Sequence, residues 1–66
     1  MLTLEYQKIL GYDFDGKPIY QVHGFCLSSD SKPTDGIGNG SDIIEIDTSK
    51  IYFYDQSGKS WHEWEA

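Results

Sequence analysis

Three side chains in this 66-residue sequence have the chemistry to hold a metal or to attack a bond: His23, Cys26 and His62. A thiol beside an imidazole is a nucleophile–base pair, and Cys/His sets bind zinc. Spacing argues against both uses. His23 and Cys26 are three positions apart, and on a strand that separation sends two side chains to opposite faces. A structural zinc site takes four Cys or His ligands, one more than this chain has. Cys26 therefore reads as a small buried hydrophobe and His62 as a half-exposed strand residue. Cys26 is the only cysteine, which excludes an internal disulfide.

Asp13, Asp15 and Gly16, or Asp30, Asp35 and Gly36, have the flavour of a calcium loop. Calcium needs six to eight oxygens, and neither stretch places a Glu where a twelve-residue EF-hand loop ends. Turn chemistry accounts for both. The glycine-rich Gly36–Ile37–Gly38–Asn39–Gly40 is followed by neither Lys–Ser nor Lys–Thr, and no helix follows to cap a phosphate, so it reads as a flexible loop. No catalytic residue, metal ligand or cofactor is expected.

The elements that carry these residues are strands. Apolar residues recur with period two, and β-branched and aromatic types fill the runs between turn signals. Leu2, Leu4 and Tyr6 alternate with Thr3 and Glu5. The phase breaks near Lys8–Ile9–Leu10, which predicts a bulge or strand end. Asp15–Gly16 tolerates the positive φ angles of a hairpin turn, and Pro18 opens the returning strand, where a missing amide donor costs least. Tyr20, Val22 and Cys26 point one way, and Ile19, Phe25 and Leu27 the other. Residues 28–41 are rich in Ser, Asp, Gly, Pro, Thr and Asn and form a long connecting loop, mobile or used as a contact surface.

The last third gives a pairing scheme. With Thr48 and Ser49 as a two-residue loop, Asp47 faces Lys50, Ile46 faces Ile51 and Ile44 faces Phe53, which puts Ile44, Ile46, Ile51 and Phe53 on one side as core. Gln56–Ser57–Gly58 as a three-residue loop sets Phe53 opposite Trp61, which covers that core. A four-residue loop shifts the register by one and brings Trp64 beside Ile51 instead. The opposite side carries Ile43, Glu45, Tyr52 and Tyr54. Tyr52 and Tyr54, joined by Trp64, form the candidate binding patch for a protein or a sugar, and the competing reading is that this side packs on the N-terminal hairpin. The expected fold is all-β: a single domain over residues 1–66 with a small antiparallel sheet of about five strands, open or closed as a small barrel or sandwich. It divides into an N-terminal hairpin (1–27), the loop (28–41) and a three-strand meander (42–65).

Five Tyr, three Phe and two Trp must supply much of the core of so short a chain. A domain this size buries only about 60% of its unfolded surface, so self-association or a partner is the expected aid. Eleven acidic against five basic side chains give a net charge of −6, which opposes nucleic-acid binding. Met1–Leu10 has neither a basic lead nor a long apolar run, so neither a signal peptide nor a membrane span is expected there.

The run Gly40–Ser41–Asp42–Ile43–Ile44–Glu45–Ile46–Asp47–Thr48–Ser49–Lys50–Ile51–Tyr52–Phe53–Tyr54–Asp55, followed by Trp61, resembles a motif of bacteriophage head-fibre and tail-fibre proteins. The upstream Lys32–Pro33–Thr34–Asp35–Gly36 resembles the loop before it in small prophage proteins. The resemblance covers about the last half of the chain. Fibre members often repeat the unit within long chains, whereas it occurs once here, so no long shaft is implied. What the resemblance implies is a non-enzymatic virion protein, a decoration, fibre-base or connector made in the bacterial cytoplasm. Its partners would be other virion proteins and its own copies. The alternative expectation, from the charge, is an acidic regulator or inhibitor that mimics nucleic acid in the groove of a host enzyme.

Overall fold

The computed structural model describes residues 1–64, so the last residue of the expected 42–65 meander lies outside the described residues. The described residues form no helix and five strands: β1 (Thr3–Tyr12), β2 (Pro18–Cys26), β3 (Asp42–Glu45), β4 (Lys50–Asp55) and β5 (Ser60–Glu63). They lie in sequence order in one sheet, open at β1 and β5. The all-β expectation holds: the sheet stays open rather than closing into a barrel, and the one change is that it is mixed. β2 and β3 run parallel, with Phe25 opposite Ile44, while every other pair is antiparallel. A parallel pair needs a crossover of a dozen or more residues, and the 28–41 loop is long enough to return the chain to the same end of the sheet.

The β1–β2 hairpin turns at Asp13–Lys17. Asp13 Oδ1 accepts from the amides of Asp15 and Lys17, both at 2.9 Å, and Gly16 takes φ 79°. Register shifts between Tyr6 and Lys8 and between Ile9 and Gly11 insert an extra residue twice in β1, at the phase break seen in the sequence.

Only one face of the sheet is covered, and the cover is the loop itself. Residues 36–38 pair beside Tyr20, whose N–H donates to Gly36 O at 2.8 Å and whose carbonyl accepts from Gly38 N at 2.9 Å. Ile37 is thereby buried with Val22 and Tyr54, and Leu4, Tyr20 and Trp61 pack around them. Ser41, fully buried, ties the loop end to the sheet: its Oγ accepts from Val22 N at 3.0 Å and its carbonyl from Tyr54 N at 3.1 Å. Gly24 is the close-approach point of this face. A Cβ there would stand 2.7 Å from Leu4 Cδ2 and 2.8 Å from the carbonyl oxygen of Thr3.

Register explains why the expected core is not the observed one. Ile44 pairs with Ile51 and Glu45 with Lys50, so the β3–β4 turn has four residues, 46–49, with Ser49 at φ 62°. Tyr54 pairs with Trp61 and Asp55 with Ser60, so the second turn is 56–59 and its left-handed residue is Lys59 at φ 49° rather than Gly58. This second register is the four-residue alternative, and Trp64 N–H donates to Ile51 O at 2.7 Å. Ile43 and Tyr54 lie on the covered face with Trp61. Ile44 and Ile51 are half-buried on the opposite face, while Phe53 (44% exposed) and Ile46 (64%) are open to solvent. Both sides of the meander are apolar, and what selects the inner one is the loop, which pairing arithmetic cannot see.

Candidate docking face

On the covered face, the aromatic side chains hold main chain rather than a ligand. Tyr54 OH donates to Thr34 O and Trp61 Nε1–H to Pro33 O, both at 2.8 Å, while the two rings sit 4.9 Å apart. The apolar bodies are buried and the polar tips find loop carbonyls. Burial, with the nearby carboxylates of Asp35 and Asp55, pushes the Tyr54 phenol up. Lys32 Nζ stands 4.2 Å above the Tyr52 ring and donates to Glu45 Oε2 at 2.6 Å. Burial alone would lower the Lys32 pKa, but the hydrogen bond and charge of Glu45 outweigh it and raise it. The Glu45 carboxyl is held below its ordinary value by Lys32 and by Thr48, whose hydroxyl donates to it at 2.7 Å.

The proposed patch of Tyr52, Tyr54 and Trp64 is therefore not one surface. Tyr54 is buried, Tyr52 lies beneath Lys32, and Trp64 continues the Ile51 row on the other side of the sheet. The layer over the tyrosines is the 28–41 loop, not the N-terminal hairpin.

The uncovered face is the candidate functional surface. One row across the strands runs Thr3, Phe25, Ile44 and Ile51, and the next runs Glu5, His23, Asp42, Phe53 and His62. A sheet with one wet face normally alternates apolar-in with polar-out. Here the outward positions of the central strands include Phe25, Ile44, Ile51 and Phe53 beside the polar Gln21, Asp42 and Asp55, with Trp64 (54% exposed) at the rim. His23 sits among them, its Nδ1 2.6 Å from Asp42 Oδ2 and its ring edge-on to Phe25 at 4.9 Å.

The polar groups of this face do not assemble a nucleophile. His62 Nε2 lies 3.1 Å from Ser60 Oγ and 3.5 Å from Asp55 Oδ2. A Ser–His–Asp triad needs the serine and the carboxylate on opposite ring nitrogens, whereas here both approach the same one. Cys26 is fully buried on the other face, as its three-residue offset from His23 requires, and burial raises its pKa away from the reactive thiolate. No group of three or more metal-ligating side chains occurs among the described residues.

At the far end, the hairpin tip borders a groove of about 890 Å³ lined by Tyr12, Asp13, Phe14, Asp35 and Lys59. Phe14 projects fully into solvent there. The Asp13 carboxylate is already engaged by its own turn.

The fold and this face define a class: a small open β-sheet with one side closed by its own loop and one apolar side uncovered. Compared with protein-family models, curated proteins and solved structures, the chain matches none.

Proposed function

We propose that this protein is a non-enzymatic structural component of a bacteriophage or prophage virion, a decoration, fibre-base or connector protein. It acts by self-association and by docking on other virion proteins. The observation that carries the docking part is the uncovered sheet face, where Phe25, Ile44, Ile51 and Phe53 occupy positions that solvent would otherwise select as polar. The virion part is supported by the resemblance of residues 40–64 to phage fibre modules. Synthesis in the host cytoplasm and residence in the particle follow from that reading.

The acidic side chains favour this reading over a nucleic-acid mimic. Asp30 pairs with the N-terminal amine at 3.0 Å, Asp47 binds the Ser28 hydroxyl at 2.6 Å, and Asp55 accepts from Ser57 Oγ at 2.8 Å. With Glu45 on Lys32, much of the negative charge serves local structure rather than a phosphate-like array. Mass spectrometry of purified particles, induced from a host carrying the gene, tests the proposal. The protein is expected at fixed stoichiometry in the particles, and its absence from them alongside abundance in the lysate would overturn the virion reading.

A further inference from the structure

Asn39 is the only asparagine of the chain, and glycine follows it. Asparagine is among the thermolabile side chains, and a glycine has no β-carbon to hinder approach to its amide nitrogen. The pair can therefore cyclise. The Gly40 nitrogen attacks Cγ of Asn39 and a C–N bond forms, while the side-chain nitrogen leaves as ammonia with the proton that Gly40 gives up. Water then opens the succinimide at either carbonyl, giving aspartate, or isoaspartate with one more carbon in the main chain. We infer that Asn39 is a site of spontaneous covalent modification gated by the fold. The ring closes only when the end of the 28–41 loop lifts off the β4–β5 turn.

The gate is conformational, because Asn39 and Gly40 are both exposed to water. Ser41 N–H donates to Gly38 O at 3.3 Å, and Gly40 takes φ 90° while Asn39 keeps a negative φ. That is a type II turn, in which ψ of the first central residue is about +120° and the Gly40 nitrogen points away from the Asn39 side chain. Closure must turn this peptide over. Two clasps oppose the rotation. Asn39 Oδ1 accepts from the Gln56 amide at 2.8 Å while Asn39 N–H donates to Gln56 Oε1 at 3.2 Å, and Gln21 Nε2 donates to Gly40 O at 3.2 Å.

The position of the site gives the reaction its consequence. Asn39 lies midway between Ile37 and Ser41, the two buried anchors of the loop. Isoaspartate lengthens the main chain between them and adds a negative charge to a chain already at −6. The two anchors then no longer seat together, and Val22 and Tyr54 lose the cover that Ile37 provides. Asp15–Gly16 and Asp35–Gly36 form the same ring by losing water, but an ionised carboxylate is a poor electrophile at neutral pH, so they age more slowly.

Peptide mapping of the purified chain, incubated at mildly alkaline pH with and without urea, tests this. Aspartate and isoaspartate at residue 39 are expected to accumulate about tenfold or more faster in urea, where no clasp holds the turn. Gln56→Ala removes the acceptor of Asn39 N–H, and Trp61→Phe removes the loop's bond to Pro33. Each should speed the reaction of the folded chain by about two- to tenfold, with the fold checked by circular dichroism and the rate in urea unchanged. Equal rates with and without urea, variants that react no faster than wild type, or a folded chain modified first at Asp15 or Asp35 overturn the inference. The wild-type comparison needs no substitution, so a variant that fails to fold leaves that criterion standing.

Discussion

Trp61 donates its indole N–H to the main-chain carbonyl of Pro33, 28 residues earlier and 2.8 Å away, and in doing so pins the crossover loop onto the sheet. Tyr54, on the neighbouring strand, makes the equivalent bond to the Thr34 carbonyl of the loop. The two rings are both core and clasp. Trp61→Phe keeps an aromatic ring and deletes the donor, so it should cost about 0.5–1.5 kcal/mol in urea unfolding. Cleavage within residues 28–41 by a dilute protease should speed up in parallel. An unchanged unfolding midpoint and cleavage rate would mean that the loop is held by other contacts.

Acid should loosen the same loop. The carboxyls of Asp30, Glu45, Asp47 and Asp55 are all held below their ordinary values: Asp30 by the Leu27 amide, Glu45 by Lys32, Asp47 by Ser28, and Asp55 by Ser57. In the window below the ordinary values, 3.8 for Asp and 4.5 for Glu, the unfolded chain binds more protons than the folded one. Their contribution is complete above that window and is lost as pH falls through the folded values. Urea midpoints should therefore be flat at mildly acidic pH and drop below about pH 4.5. Ser28→Ala, which releases Asp47, should make the drop shallower.

The Lys32–Glu45 pair should behave as a buried unit. Its side chains are 14% and 5% exposed, so Lys32→Met leaves a carboxylate shielded from water without its cation. That variant should be clearly less stable than wild type at pH 7, and the double variant Lys32→Met/Glu45→Met should recover part of the loss. A double variant no better than the single one would show that the two side chains act independently.

Gly24→Ala places a methyl against Leu4 and the Thr3 carbonyl, and backbone cannot yield as a side-chain tip can. A loss of about 1–3 kcal/mol is expected from denaturant titration. Lys59→Gly works in the opposite direction, because a β-carbon is strained at φ 49°. A gain of about 0.5–1 kcal/mol is expected by the same measurement.

Much of the strand layout was legible in the sequence, because period-two alternation and an Asp–Gly turn are local signals. The N-terminal hairpin, the irregularity around Lys8–Leu10 and the order of the last three strands all follow from them. The faces did not follow. Glu45 and Lys50 bracket a four-residue turn whose left-handed residue is Ser49, and in the next turn that role falls to Lys59 beside an available Gly58. Non-glycine residues at positive φ give little warning in a sequence. The loop is the deeper reason. Its composition reads as solvent-exposed, yet Ile37 and the carbonyls of Pro33 and Thr34 meet Tyr54 and Trp61, so it decides which apolar side becomes the core. Ile44, Ile51 and Phe53, expected inside, instead lie on the free face and Ile46 in the exposed turn, and the binding role expected of Tyr52 and Tyr54 is proposed for that face instead.

The proposed function places assembly on this free face. The most direct measurement is incorporation of Phe53→Asp into particles, scored by mass spectrometry against the wild type and against Phe14→Asp. Phe53→Asp is expected to accumulate folded in the lysate and to be missing from particles, while Phe14→Asp is incorporated like wild type. Incorporation of Phe53→Asp at the wild-type level would contradict it.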